Sequence, residues 1–402
     1  MTAGLGILLA IIVLGLLLFS QLVNLDSTKK MMMTKVSEKT GGQLKFASLD
    51  FSLLPLPHAI FREGYFSIDE KVRVSFEKMS VYPAALPLLR GTVKLHSVYI
   101  SSPEITLSLP ARAVGKNGVK KQFAINEVYK IFTLGLASFA SKAPDLVFEV
   151  NDGLMNLIRN GETVFWFKDI RARIAMPIDE SNIEIKCKSN LGERISLMGS
   201  VNLKQLIGDG HVKLYKFQPA ALYDYFLPTS RLRISDSTIN LDIDFNADGQ
   251  EYLNAQFGGS IPELSVRDEK SNFPFRASNI EGEFQIADGK TSVALENINL
   301  VNPQLSLRGR FLEDSSTKSA ELEIRASEVD IKSVREAALF LVGQFPITQK
   351  IFEIIKGGYS PLTEFSSKAK SISALGKEEN FTIRGRMQDG NIYIRQADLD
   401  LN

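Results

Sequence analysis

Apolar and polar residues alternate along much of this chain, with the period of two that is typical of β-strands. The clearest run is Arg231–Val266. Within it, Ile239, Leu241, Ile243 and Phe245 occupy every second position, and Asn or Asp residues occupy the positions between them. Each such strand has one apolar side and one polar side. The pattern therefore predicts a sheet with two chemically different faces.

Asn-Gly and Asp-Gly pairs separate several of the predicted strands. Both pairs accept the positive φ angles that a two-residue hairpin turn requires. They occur at Asp152-Gly153, Asn160-Gly161, Asp248-Gly249, Asp288-Gly289 and Asp389-Gly390. Their spacing follows no fixed period, so the sequence predicts consecutive antiparallel hairpins and not the regular repeats of a propeller or a solenoid.

Helical spacing interrupts the alternation in two regions. In residues 122–141, apolar side chains recur every three or four residues, which predicts an amphipathic helix. Further along, Ser333 and Glu336 have the spacing of a capping box and predict the start of a second helix. Pro346 can open a third helix, and Gly357-Gly358 is expected to end it.

The chain begins with an apolar run that is longer than any strand needs. As a helix, Leu5–Val23 would span the roughly 30 Å hydrocarbon layer of a membrane. A cleaved signal peptide would have a shorter apolar core and a small-x-small cleavage site. We predict an uncleaved single-pass anchor at residues 1–25. Lysines follow the run and none precedes it, which favours a cytoplasmic body by the positive-inside tendency. The anchor positions are Leu5, Ile11, Leu14, Leu18 and Val23.

Composition argues against catalysis and against nucleic-acid binding. The 402-residue chain has a formal net charge of +1, three His and a single Cys. A charge this close to zero offers no field for nucleic acid, and one cysteine, Cys187, excludes an internal disulfide. His58, His96 and His211 lack metal-ligand spacing, and a partial calcium-loop match has Ala255 in place of the bidentate glutamate. We expect no enzyme, no catalytic residue, no metal and no cofactor.

Periodicity alone leaves two architectures open. The predicted strands carry more apolar surface than about three helices can cover. Two sheets can close on each other as a sandwich, in which case the apolar faces form a core. Alternatively, one long curved sheet keeps its apolar face inside a groove, and a ligand must then cover a patch that a monomer rarely exposes. Acyl chains would suit such a groove, because their burial is non-directional and contributes about 0.8 kcal/mol per CH₂.

Several longer motifs resemble one known family. The apolar N-terminal run is followed by FASLDFSLLPLP at Phe46–Pro57 and by LPLLRGTVKLHSVYISSPEITLSL at Leu86–Leu109. LENINLVNPQLSLRG at Leu295–Gly309 repeats the strand–Pro–strand part of the second motif. GRMQDGNIYIRQADLDL at Gly385–Leu401 resembles a repeat of long AsmA-like and TamB-like proteins. Together these motifs resemble the AsmA family of bacterial envelope proteins over most of the chain.

The resemblance implies a mostly β fold. A transmembrane helix would be followed by a long, curved antiparallel β-sheet that forms an elongated, β-taco-like groove with a few amphipathic helices. The expected parts are the anchor at 1–25 and a β-rich periplasmic domain at 26–326 with the inserted helix near 122–141. A helical segment at 327–360 and the start of a further β-repeat at 361–402 would follow, and the native chain is expected to be longer.

The resemblance also implies a bridge-like lipid carrier in the bacterial inner membrane, with its body in the periplasm. It would move phospholipid between inner and outer membrane and support outer-membrane assembly and integrity. The implied partners are phospholipid acyl chains, the inner membrane and an outer-membrane or other envelope protein, and not nucleic acid. The alternative is a membrane-anchored β-sandwich that acts as a scaffold or outer-membrane protein assembly factor without a lipid ligand. The candidate groove lining is Phe148, Val150, Trp166, Ile183, Ile185, Leu241, Ile243, Phe245, Phe284 and Ile286.

Overall fold

The computed structural model describes residues 30, 33–34 and 43–401, except for the gaps named next. These gaps are 53, 55, 69–71, 85, 88–93, 110–144, 178, 227–230, 249–251, 345 and 395–398. The predicted anchor at 1–25 and the predicted helix near 122–141 lie outside the described residues. Among the helices that are described, none has the length and apolar character that a membrane crossing requires.

The described chain is mostly β, as predicted, with antiparallel strands and few helices. The described residues divide into two compact units, one that ends at Ser189 and one that begins at Asn190. Strands β1–β8 belong to the first unit and strands β9–β19 to the second.

The described part of the first unit is a sheet of eight strands. They are β1 (Gln43–Ser52), β2 (His58–Ile68), β3 (Val72–Pro83), β4 (Leu95–Ser101), β5 (Glu104–Ser108), β6 (Val147–Arg159), β7 (Glu162–Ala175) and β8 (Ser181–Ser189). Strands β1–β3 pair antiparallel, and both β4 and β5 pair antiparallel with β3 and parallel with β6. Strands β6–β8 continue antiparallel. Phe46, Leu49, Phe61 and Phe76 form a buried cluster on one side of β1–β3.

The second unit is an antiparallel ladder in which each strand pairs with the next one along the chain. Its strands are β9 (Gly192–Asn202), β10 (Ile207–Phe217), β11 (Arg233–Asp248), β12 (Tyr252–Arg267), β13 (Asn272–Ala287), β14 (Lys290–Asn302), β15 (Leu305–Asp314), β16 (Ser319–Asp330), β17 (Ile355–Ala369), β18 (Phe381–Ile394) and β19 (Leu399–Leu401). Its described α-helices are α1 (Ala220–Phe226), α2 (Ile331–Val342) and α3 (Pro346–Ile354), and two short 3₁₀ helices lie at Ile372–Ala374 and Glu378–Asn380.

Two of the predicted turns are confirmed. Asn160-Gly161 joins β6 to β7, and Asp288-Gly289 joins β13 to β14. All four residues have positive φ angles, from 51° to 83°, as a type I′ turn requires. The turn predicted at Asp248-Gly249 extends into the gap at 249–251.

The other two predicted turns are wrong. Asp152 and Asp389 also have positive φ angles, 54° and 49°, but they lie inside β6 and β18, where the strand register shifts. A bulge accepts the same left-handed residue as a tight turn. The dipeptide therefore identifies the backbone conformation without deciding whether the chain reverses.

Helix α2 starts two residues before the position predicted from Ser333. Asp330 is the N-cap, and its carboxylate accepts hydrogen bonds from the backbone N–H groups of Lys332 and Ser333. The Ser333 hydroxyl instead accepts a hydrogen bond from the N–H of Gln304, at 3.0 Å, and so ties the helix to β15. At the other end, α3 stops at Ile354, and Gly357-Gly358 lies within β17.

Candidate functional site

The register of the second unit shows which side chains share a face, because residues directly opposite each other on paired strands point the same way. One row crosses ten strands through Leu197, Val212, Ile243, Phe257, Gly282, Leu295, Gly309, Ile324, Phe365 and Ile383. The next row on that side runs through Gly199, Gly210, Phe245, Ala255, Phe284, Val293, Phe311, Leu322, Ser367 and Phe381. We call this surface the apolar face.

The apolar face is partly open to solvent. Ile243, Phe257 and Phe284 lie on central strands, and each is only half-buried. Ile383, at the end of the first row, is 48% exposed. Side chains at the centre of a closed sandwich would be buried on all sides. The face is therefore available for apolar contact.

Helix α2 covers one end of the apolar face. Leu305, Ala326 and Val329 form a buried cluster there, packed against Ile331 and Val334 of the helix. The other end of α2 is held as well. The Phe340 ring stacks on Phe273 of β13 with centroids 5.8 Å apart, and a side-chain N–H of Arg231 donates to the Phe340 carbonyl oxygen at 3.0 Å.

Two aromatic rings lie across neighbouring strands of the apolar face. A methyl group on Gly210 would lie only 2.6 Å from Cζ of Phe245, and one on Gly282 only 2.6 Å from Cζ of Phe257. Each ring thus occupies the space above a glycine on the adjacent strand. Rings that lie in this way cover the backbone of the adjacent strand and do not project from the sheet, whereas rings standing upright would interrupt the apolar surface.

The strand register shifts at neighbouring positions on adjacent strands, just beyond one end of the two rows of the apolar face. On β10 the shift contains Lys216, whose φ is 49°, and the Lys216 N–H donates to the Asn240 side chain at 3.0 Å. Strands β11, β12 and β13 shift at neighbouring positions, around Ile239, Ile261 and Ala277. Bulges bend a strand and increase its twist, so these strands bend at matching places.

The opposite face of the second unit is polar and carries exposed ion pairs as well as a histidine between two carboxylates. His211 lies between Asp242 and Asp244, with its ring nitrogens 2.6 and 2.7 Å from their carboxylate oxygens. Arg325 lies 3.1 Å from Glu364 on the same face. Exposed pairs of this kind contribute at most about 1 kcal/mol each. These charged side chains keep the polar face hydrated.

Half of the candidate lining residues lie on the apolar face of the second unit. Leu241, Ile243 and Phe245 occupy three successive rows on β11, and Phe284 and Ile286 occupy two rows on β13. The register brings the two strands together through β12. Additional members of the rows, which the candidate list omitted although they alternate in the same way, are Phe257, Phe311, Ile324 and Phe365.

Four more candidates come together in the first unit. Phe148 and Val150 of β6 stand opposite residues of β7 that in turn face Ile183 and Ile185 of β8. Ile183 is buried and the other three are half-buried. These residues form two rows of a second apolar surface, which belongs to the first unit.

Trp166 is placed differently from the other candidates. It stands opposite Asn156 in a polar row, and the Lys168 ammonium lies 4.9 Å from its ring centroid. Its chain neighbours Phe165 and Phe167 point to the other side, where Phe167 faces Met155. Phe165 and Phe167 are therefore better candidates than Trp166 for an apolar lining.

Two other kinds of chemistry, metal binding and a reactive thiol, find no support among the described residues. No group of three or more His, Cys, Asp or Glu side chains among them could hold a metal ion. Burial raises the pKa of the Cys187 thiol, which favours the protonated and poorly nucleophilic form. What the geometry provides is a half-open apolar surface backed by a charged one.

Comparisons with known proteins found no matching family model, no matching curated protein and no matching solved structure. The resemblance to the AsmA family thus rests on the sequence motifs quoted above.

Proposed function

We propose that this protein is a membrane-anchored carrier whose apolar face holds the acyl chains of phospholipid. The observation that carries the proposal is the partial exposure of side chains such as Ile243, Phe257 and Phe284, in rows that cross ten strands. Acyl chains would cover the exposed part of these side chains, and contiguous exposed apolar patches beyond a few hundred Å² are rare on monomers.

The dimensions of the face suit a flexible hydrocarbon chain. Ten strands are separated by nine gaps of about 4.8 Å, so a row has a contour length of about 43 Å. One leaflet of a bilayer provides about 15 Å of hydrocarbon depth, so a row is long enough for acyl chains placed end to end. Because apolar burial is non-directional, at about 0.8 kcal/mol per CH₂, a chain could slide between rows without breaking any specific bond. The head group would remain in water.

The cellular setting in this proposal comes from the AsmA resemblance. The carrier would sit in the bacterial inner membrane, with its body in the periplasm, and carry phospholipid between the inner and the outer membrane with the help of an envelope protein. Lysines after the apolar run at Leu5–Val23 argue for the opposite orientation. A long body can be translocated regardless of such flanking charges.

Site-specific photo-crosslinking in living cells tests the lipid proposal. The photoreactive amino acid p-benzoylphenylalanine would replace Phe257 on the apolar face in one variant and its neighbour Gln256 on the polar face in the other. After irradiation, mass spectrometry should find phospholipid adducts at position 257 and not at 256. Phe311 and Arg310 on β15 form a second matched pair.

Two outcomes would contradict the carrier function. Equal labelling at the apolar and polar positions would indicate random contact with membrane lipid. Crosslinks from positions 257 and 311 only to protein would favour the alternative, a sandwich-like scaffold or assembly factor without a lipid ligand.

A further inference from the structure

The polar face of the second unit has an uneven charge distribution. Over β10–β13 most of its charged residues are acidic: Asp209, Asp242, Asp244, Asp248, Glu281 and Glu283, against Lys213. Over β15–β18 most are basic: Arg308, Arg310, Arg325, Arg384, Arg386 and Lys368, against Asp314, Glu321, Glu323 and Glu364. The chain as a whole is nearly neutral, so this segregation is a local property of the face.

Two of these arginines stand directly opposite each other. Arg308 of β15 faces Arg325 of β16. Arg325 pairs with Glu364, at 3.1 Å, whereas the Arg308 side chain has no hydrogen bond or ion pair within the part of the chain that the structure describes. Like charges on directly opposed residues destabilise a strand pair. An anion placed between the two guanidinium groups would remove that repulsion.

A cavity of about 450 Å³ lies at this arginine pair. Asn297, Asn299, Ser306 and Ser327 line it together with the two arginines. The Ser306 hydroxyl donates to Asn299 Oδ1 at 2.9 Å, which leaves the Asn299 NH₂ group available to a ligand. The lining therefore combines charged donors with neutral ones.

We propose that this cavity is a binding site for a phosphate ester. Guanidinium groups match phosphate oxygens with two parallel N–H···O hydrogen bonds, and such charge-assisted bonds are about twice as strong as neutral ones. Glu328, which lines the cavity, and Glu364, which pairs with Arg325, offset the charges of the two lining arginines. Arg384 and Arg386 on the neighbouring strand β18 lie outside the lining and supply the positive excess. This site lies on the face opposite the proposed acyl-chain surface and does not depend on it.

Two sources of the phosphate ester are chemically equivalent at the arginines. One is the phosphodiester of a phospholipid head group, and the other is free phosphate or a small soluble ester. Leu362, which is 43% exposed at the cavity, could contact the hydrocarbon beside a head group. The probes are therefore glycerophosphoglycerol, which is an anionic head group without acyl chains, and inorganic phosphate.

Equilibrium dialysis of the full chain in a phosphate-free nonionic detergent tests the site. Arg308→Gln should weaken binding of the preferred probe about tenfold or more, as expected for loss of a charged hydrogen-bond donor. Arg267→Gln is the matched control, because Arg267 is also exposed and faces another arginine, Arg233, without this cavity. The control should bind as the wild type does.

Each outcome has a defined meaning. Binding of glycerophosphoglycerol but not of inorganic phosphate identifies a lipid head-group site, and the reverse identifies a site for free phosphate. Loss of binding in Arg308→Gln must occur without a lower melting temperature, because the substitution removes a repulsion. Failure of both probes to bind the wild type, or equal losses in the two variants, would overturn the proposal.

Discussion

Replacing Ile243 with Glu is the most direct way to learn whether the apolar face is an open surface or a closed core. Ile243 lies between Val212 of β10 and Phe257 of β12 and is half-buried. Full burial of an isoleucine side chain contributes about 1.5–3 kcal/mol, and a side chain that is still partly exposed contributes correspondingly less. On an open face the new carboxylate can reach water.

We therefore expect Ile243→Glu to fold and to lose about 1–2 kcal/mol of stability. For a unit of roughly 200 residues this corresponds to a melting temperature lower by about 3–6 °C. A closed core would give a different result. Burying an unpaired carboxylate costs several kcal/mol, which is comparable with a total stability of about 5–15 kcal/mol, so the variant would then unfold or aggregate.

The same substitution should sharply reduce lipid binding. A carboxylate in the row removes favourable contact with about four CH₂ groups of a passing chain, or about 3 kcal/mol in total. That loss corresponds to a decrease of about 100-fold in affinity. Bound phospholipid would be extracted from the purified full chain and quantified by mass spectrometry, and circular dichroism melts would be recorded on the same preparation.

Thr382→Glu is the matched control, because it adds the same charge on the opposite, polar face at an exposed position. It should retain both its lipid and its melting temperature. An unfolded Ile243→Glu variant would mean that the face is a closed core. A folded Ile243→Glu variant with an unchanged lipid load would mean that this face does not carry lipid.

Two further predictions concern how the second unit is built. Gly210→Ala should lower stability by about 1–3 kcal/mol, since its methyl group would lie 2.6 Å from the Phe245 ring. Adding Phe245→Leu should restore part of the lost stability. If thermal melts of the double variant show that the two losses are additive, the ring does not lie over Gly210. Asp330→Ala should cost about 1 kcal/mol and raise amide exchange in α2, whereas Asp330→Asn, which keeps a capping oxygen, should change little. Equal effects of both Asp330 variants would mean that the carboxylate has another role.

The strands and their two faces follow from the sequence alone. Side-chain alternation is a property of the extended backbone, so the pattern through Leu241, Ile243 and Phe245 required no knowledge of distant residues. The turn at Asn160-Gly161 is equally local, since two positive φ angles in succession suit few other dipeptides. Locally encoded features of this kind were predicted well.

Features that depend on a residue's neighbours in space could be determined only from the tertiary structure. Asp152 and Asp389 adopt the predicted left-handed conformation, yet the neighbouring strands continue past them, so they form bulges and not turns. Ser333 has the chemistry of a cap, but Gln304 of an adjacent segment engages its hydroxyl, and Asp330 caps the helix. In each case a partner distant in sequence determined the role of the residue.

The sequence did not determine whether the apolar face is open or covered by a second sheet. The same alternation is compatible with a second sheet packed on Phe257 and Phe284 or with solvent and ligand at that surface. Those residues are half-buried, whereas Leu305 and Val329, beneath α2, are buried. What covers a sheet is set by the packing of whole elements, and the period of a single strand contains no information about it.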